Sequence, residues 1–162
     1  MYRVTKYCRM CLNKKIKVGL RLSQMPLGER YTFNKKSALR SKKFPLTIGW
    51  CSRCKNIQTM EVVSPKMLWG DFTYISGQTN SIVEHFKQIS VMITRKFKLR
   101  KNDFVIDIGS NDGSLLKFFK NKNFRVLGID PADKIANIAN KRGIKTLVSF
   151  FNLKIARKIK KN

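Results

Sequence analysis

Three features of the sequence predict an α/β chain in two parts: a small, mostly-β metal-binding module, then the first half of a doubly wound parallel sheet. Two C-x-x-C pairs, Cys8-Arg9-Met10-Cys11 and Cys51-Ser52-Arg53-Cys54, have 39 residues between them. Farther on, Val105-Ile106-Asp107-Ile108 breaks into Gly109-Ser110-Asn111-Asp112-Gly113 and then Leu115-Leu116-Lys117-Phe118-Phe119. That is the pattern of strand, tight glycine turn and helix. From there to the last residue the pattern runs β-α-β-α-β-α, as in half of a doubly wound sheet.

Each part follows from its residues. A C-x-x-C knuckle lets two thiolates reach one ion, and two knuckles complete a closed S4 site, the structural form of zinc. A redox dithiol explains one such motif but not a matched pair, and a disulfide pair is disfavoured by compartment. Cys8, Cys11, Cys51 and Cys54 are therefore the expected zinc ligands, with no open position for catalysis. Between the knuckles, Lys17–Leu22 alternates weakly as a strand, 24–28 is turn or extended because of Pro26, and 34–43 is a basic, solvated excursion. Leu46–Trp50 leads into the second knuckle and the alternating run Ile57–Val63 leads out of it. The module spans 1–66, and its core is too thin to stand without metal or a neighbour.

A connecting segment, 67–100, carries the clearest helix, Ser81 to about Lys98. Ile82, Phe86, Ile89, Ile93 and Phe97 recur every three or four residues, and Ser81 with Glu84 forms a capping-box signature. His85, the one histidine of the chain, reads most simply as a hydrogen-bonded structural residue. Tyr74 reads as aromatic packing with a satisfied hydroxyl.

Residues 101–162 form the second part. After the strand Phe104–Ile108, a helix runs from Gly113 to about Asn121, and the next strand, 124–129, ends in Asp130. An acid there can accept hydrogen bonds from two ribose hydroxyls. Asp130-Pro131 also suits a helix start, with Asp as N-cap. Gly143 suits a C-cap, Ile144–Ser149 a third strand, and Asn152 the cap of a last helix. The glycine pattern is D-x-G-x-x-x-G rather than G-x-G-x-x-G. A ligand-free βα turn is the alternative.

Composition limits the partners. Of the 35 Lys+Arg and 9 Asp+Glu, which give a net charge of +26, residues 1–66 hold 16 and 2 and residues 67–162 hold 19 and 7. The charge is spread rather than gathered into a stripe, and lysines outnumber arginines 24 to 11, although arginine is the better reader of bases and phosphates. Aromatic residues do not interleave with basic ones as a stacking platform would. A basic zinc-ribbon module gripping nucleic acid is the alternative function. No apolar run is long enough to cross a membrane and no signal-peptide core is present, so the cytoplasm is the expected compartment.

These residues resemble one family, the zinc-containing, S-adenosylmethionine-dependent sugar C-methyltransferases. The similarity rests on C-R-M-C, L-S-Q-M-P-L, F-P-L-T-I-G-W-C-S-R-C, F-T-Y-I-S-G, E-H-F, V-I-D-I-G-S-N-D-G-S-L-L, V-L-G-I-D-P-A and G-I-K-T-L-V-S-F-F, in that order over nearly the whole chain. The resemblance implies a Rossmann-like methyltransferase sheet, with S-adenosylmethionine and structural Zn2+ as cofactors and a nucleotide-linked keto-deoxysugar as substrate. It implies that Gly109 and Gly113 admit the methionine part of the cofactor, with Asp107 near its ammonium and Asn111 nearby, and that Asp130 holds the ribose. Tyr74 and His85 would face the sugar. The implied chemistry removes a proton beside a ketone, and the enolate takes the sulfonium methyl. Family members are more than twice this long, and the segment that supplies their base lies beyond Asn162. The chain alone is therefore expected neither to fold stably nor to methylate. It reads as a fragment, as one piece of a split enzyme with a separately encoded C-terminal half, or as a partner lending its zinc module to a complete enzyme.

Overall fold

The computed structural model describes residues 2–28 and 31–161. The chain divides into two compact units, Met1–Leu68 and Trp69–Asn162. The fold is mixed α/β, with a four-cysteine site in the first unit and a parallel sheet in the second.

The first unit is built from two small antiparallel sheets. β2 (Ile16–Pro26) pairs with β3 (Lys43–Cys51), and β3 pairs with β4 (Ile57–Thr59); β1 (Tyr2–Val4) pairs with β5 (Glu61–Val63). The alternating run 57–63 is thus two strands in two sheets, and Met60 is the switch. Its N–H donates to the Thr47 carbonyl (2.8 Å) and its carbonyl accepts from the Thr5 N–H (2.8 Å). β2 runs through Pro26, longer than the sequence pattern suggests, because β3 supplies it with a partner across two register shifts. The basic excursion contains a short helix, α1 (Lys35–Leu39), capped by the Asn34 side chain on the Ser37 N–H (2.9 Å). Apart from cysteines, Phe44 and Met60 are the buried hydrophobic side chains of this unit among the described residues.

After α2 (Pro65–Trp69), the second unit has a short 3-10 turn at Ser76–Gln78 and then α3 (Asn80–Lys96). Its N-cap lies two residues earlier than the capping-box pattern suggests. Thr79 is the N-cap, with no side-chain cap bond, and Glu84 instead pairs with Lys87 at 3.6 Å. Phe97 lies past the helix end and is exposed. The parallel sheet runs β6 (Phe104–Ile108), β7 (Arg125–Asp130), β8 (Thr146–Val148), with β7 central and β6 at an edge. The crossover helices are α4 (Ser114–Lys120) and α5 (Asp133–Lys141). Leu116 of α4, Ala139 of α5 and Ile144 form a buried cluster against Val105 and Val126, which places both helices on one face. Arg142 caps α5 and Gly143 follows in the left-handed region (φ +77°), as a helix stop requires. α6 (Leu153–Lys160) is capped by Asn152, whose carboxamide oxygen accepts from the Ile155 N–H (3.0 Å).

The opposite face of the sheet is thinly covered. Phe104, Ile106 and Ile108 of β6 are 42%, 40% and 58% exposed, and α6 buries no residue. The stability of this unit therefore rests on the α4/α5 face. Leu116, fully buried, is its centre, and Leu116→Ala is expected to cost about 2–5 kcal/mol. Denaturant unfolding of the variant checks this; a midpoint unchanged from wild type would place the core elsewhere.

Candidate functional site

Two sites emerge, one in each unit. In the first unit the two knuckles are near-copies of each other. The N–H of Cys8 donates to the Asn13 carbonyl (2.8 Å) and that of Cys51 to the Asn56 carbonyl (2.9 Å). The N–H of Leu12 returns to the Cys8 carbonyl (2.9 Å) and that of Lys55 to the Cys51 carbonyl (3.0 Å). Leu12 and Lys55 both hold positive φ, 59° and 62°. Cys51 sits at the end of β3, and the buried Gln58 of β4 fixes the other knuckle, donating to the Tyr7 carbonyl (3.0 Å) and accepting from the Arg9 N–H (2.9 Å).

All four thiol sulfurs lie within 4.8 Å of one another, with Cys8 to Cys54 at 3.5 Å and Cys11 to Cys51 at 3.6 Å. A tetrahedron with Zn–S bonds of about 2.3 Å has edges of roughly 3.8 Å, so the donor set fits a structural zinc ion. The Cys54 N–H, with the Asn13 side chain assisting, holds the pKa of Cys51 down to about 6. The Cys11 N–H likewise lowers Cys8. The Asn56 N–H pulls Cys54 down too, but the Cys11 thiol, desolvation and the other two thiols outweigh it and push Cys54 up to about 12. Four thiolates cannot share this space without a cation.

In the second unit, a cleft of about 460 Å³ opens at the carboxyl ends of the strands. Ile108, Gly109, Asn111, Asp130, Phe72 and Phe150 are among its walls. This is where open α/β sheets bind ligands. The turn is held by β7: the N–H groups of Gly109 and Ser110 both donate to the Ile129 carbonyl (2.8 and 3.3 Å). Gly109 has φ +78°, and a Cβ there would meet open space. Glycine is required here for the conformation, and it leaves bare backbone facing the cleft. Asp130 is nearly buried, and its carboxylate is set by two backbone donors, Asn111 N–H (2.8 Å) and Ala132 N–H (2.9 Å). This explains why α5 begins at Asp133 rather than at Pro131: the expected cap spends its oxygens on the two flanking loops.

The other expected residues take different places. Gly113 (φ +76°) is packed so closely on Ile144 that a Cβ would come within 2.9 Å; it lines a separate hollow with Asp112 and Arg142. Asp112 is buried and pairs with Arg142. The side chain of Asn111 is a clip: its oxygen accepts from the Ser76 N–H (3.0 Å) and its nitrogen donates to the Tyr74 carbonyl (2.9 Å). Tyr74 places its hydroxyl 3.5 Å from that of Thr79, and His85 stands exposed on α3; neither is among the cleft walls. Sequence reasoning missed Asn13, Asn56 and Asp112. A signal existed for the first two, since both knuckles read C-x-x-C-x-N.

Burial, then the neighbouring Asp130, raises the Asp107 carboxyl above the ordinary carboxylate range. A raised acid holds its proton more tightly in the folded state, so its stability contribution is full at acid pH and lost as pH rises through the folded value. Asp107→Asn is therefore expected to melt higher than wild type at neutral pH, with the gain vanishing near pH ~3, where both side chains are neutral. Thermal melts at the two pH values check this. In the first unit, stripping metal with a strong chelator is expected to unfold Met1–Leu68. Loss of protection in hydrogen exchange there, reversed by zinc, is the expected reading.

Among the described residues no helix is long and apolar enough to cross a membrane. The family described as "Putative zinc binding domain" matches residues 8–69. C-methyltransferase NovU of Streptomyces niveus is 28% identical over 152 residues, covering 94% of this chain but only 36% of that protein's length. The chain thus joins a small N-terminal zinc-binding module to a methyltransferase-like fold and is similar along nearly all its length to part of a C-methyltransferase.

Proposed function

We propose that residues 1–162 form the cofactor-side part of an S-adenosylmethionine-dependent methyltransferase that C-methylates a nucleotide-linked keto-deoxysugar. The observation that carries this reading is the cleft at the ends of β6 and β7, with the bare backbone of Gly109 on one wall and the pre-set carboxylate of Asp130 on another. When bound, S-adenosylmethionine supplies an electrophilic methyl group.

The chain's own residues bind and orient it. Asp130 keeps lone pairs free for ribose hydroxyls after its two backbone bonds. Gly109 leaves space for the amino-acid end. Asp107, disfavoured as an anion by burial and by Asp130, gains from a nearby ammonium. Phe72 and Phe150 give the cleft apolar walls. Tyr74, tied through its carbonyl to Asn111, and His85 are the acceptor-side candidates. The similarity to a C-methyltransferase supports the carbon acceptor. The general base and the rest of the sugar site belong, in this reading, to polypeptide beyond these residues. Among the described residues β6 pairs with β7 alone, and this supports that arrangement, since the pocket of a doubly wound sheet lies between its first strand and a strand of the second half.

Calorimetric titration of S-adenosylmethionine into residues 1–162 with zinc is expected to show no micromolar binding. Adding the second half of a related enzyme's sheet, fused or as a separate chain, is expected to create it. In that complemented protein, Asp130→Ala should weaken binding about 10–100-fold, the worth of lost hydrogen bonds to a charged acceptor. Unchanged affinity in the variant would sink the assignment of the ribose to Asp130.

A further inference from the structure

The repeat C-x-x-C-x-N has a geometric consequence beyond the four ligands. The left-handed residue in each knuckle, Leu12 or Lys55, turns the chain so that the asparagine carboxamide crosses to the other knuckle. Asn13 Nδ2 lies 3.5 Å from Cys51 Sγ, and Asn56 Nδ2 lies 3.9 Å from Cys8 Sγ. The exchange is reciprocal: each asparagine reaches the first cysteine of the opposite knuckle. Those recipients, Cys8 and Cys51, are the two fully buried thiols, whereas Cys54 is exposed. Water can offset the charge on Cys54 but not on Cys8 or Cys51.

We propose that Asn13 and Asn56 are positioning residues of the metal site, each donating an N–H to the buried thiolate of the opposite knuckle. A zinc tetrathiolate carries a net charge of −2. Donors to its buried sulfurs withdraw part of that charge and fix the relative orientation of the two knuckles. A neutral carboxamide is well matched to this role, because it reaches sulfur as a donor without competing as an anionic ligand. A purely local role is the competing explanation, because the Asn13 oxygen also accepts from the Lys15 N–H (3.3 Å) and its nitrogen lies 3.4 Å from the Lys15 carbonyl. Asn56 Nδ2 similarly lies 3.4 Å from Gln58 Oε1.

Two substitutions at each position separate these roles. Asn→Asp keeps the turn's oxygen acceptor and loses the donor; Asn→Leu loses the donor with no added charge and nearly the same shape. The full chain and its Asn13→Asp, Asn13→Leu, Asn56→Asp and Asn56→Leu variants are loaded with Co2+ in place of Zn2+, and zinc affinity is read by competition with a chromophoric chelator. Every variant is expected to bind zinc about 10–100-fold more weakly and to move the thiolate-to-cobalt charge-transfer band to lower energy, since an unbonded thiolate gives up charge more readily. Wild-type affinity and band position in the Leu variants would overturn the proposal. So would weaker binding with an unmoved band, which is the signature of a turn residue alone. The proposal rests on the four thiols holding zinc. Failure of that reading would appear separately, as no tetrahedral cobalt spectrum in the unsubstituted chain.

Discussion

The cost of holding anionic groups out of water and close together is a constraint felt in both units. Four thiol sulfurs converge within 4.8 Å in the first unit, and in the second the Asp107 carboxyl is raised by burial and by Asp130. The chain as a whole has a net charge of +26. In the thiol cage relief comes from a cation, and the donor set suits Zn2+; the Asp107 carboxyl is relieved by keeping its proton. The asymmetry has a structural cost. Around the cage, Phe44 and Met60 are the buried hydrophobic side chains apart from cysteines among the described residues, so the metal replaces a core. The cleft instead borrows rigidity from β7, whose Ile129 carbonyl and Asp130 carboxylate hold the glycine turn.

Positive charge elsewhere is used locally. The ammonium groups of Lys17 and Lys55 lie 5.6 and 5.2 Å from the Trp50 ring centroid, and the Arg125 guanidinium lies 5.1 Å from that of Phe104. Aromatic faces engaged by the chain's own cations are poor platforms for bases. Lys120 reaches the Gly143 carbonyl at 2.6 Å, closing the end of α5, and Lys122 reaches the buried Ser90 hydroxyl at 3.2 Å, linking α3 to the loop after α4.

Much of this was legible in the sequence, and the misses share a cause. The order of β6 through α6, the stop at Gly143 and the cap at Asn152 follow from local chemistry, so local reading finds them. The metal cage is legible because thiol spacing is itself the geometry. Hidden from the sequence were features that need a partner from far along the chain. β1 has three residues and exists because β5 pairs with it. The run 57–63 looks like one strand until Thr47 and Thr5 claim opposite sides of Met60. Asp130 looks like a helix cap until Asn111, nineteen positions earlier, takes one of its oxygens. Asn111 lines the cleft, and nothing local shows that its carboxamide also holds the Tyr74 carbonyl and the Ser76 N–H.

The switch at Met60 carries one more implication. Its thioether is seated so closely over Gly49 that a Cβ on that glycine would come within 2.6 Å of the sulfur and within 2.8 Å of the Ile16 side chain. A sulfoxide oxygen adds bulk and polarity to a joint with room for neither. Oxidation of that one sulfur would therefore strain the seam that ties the two small sheets together.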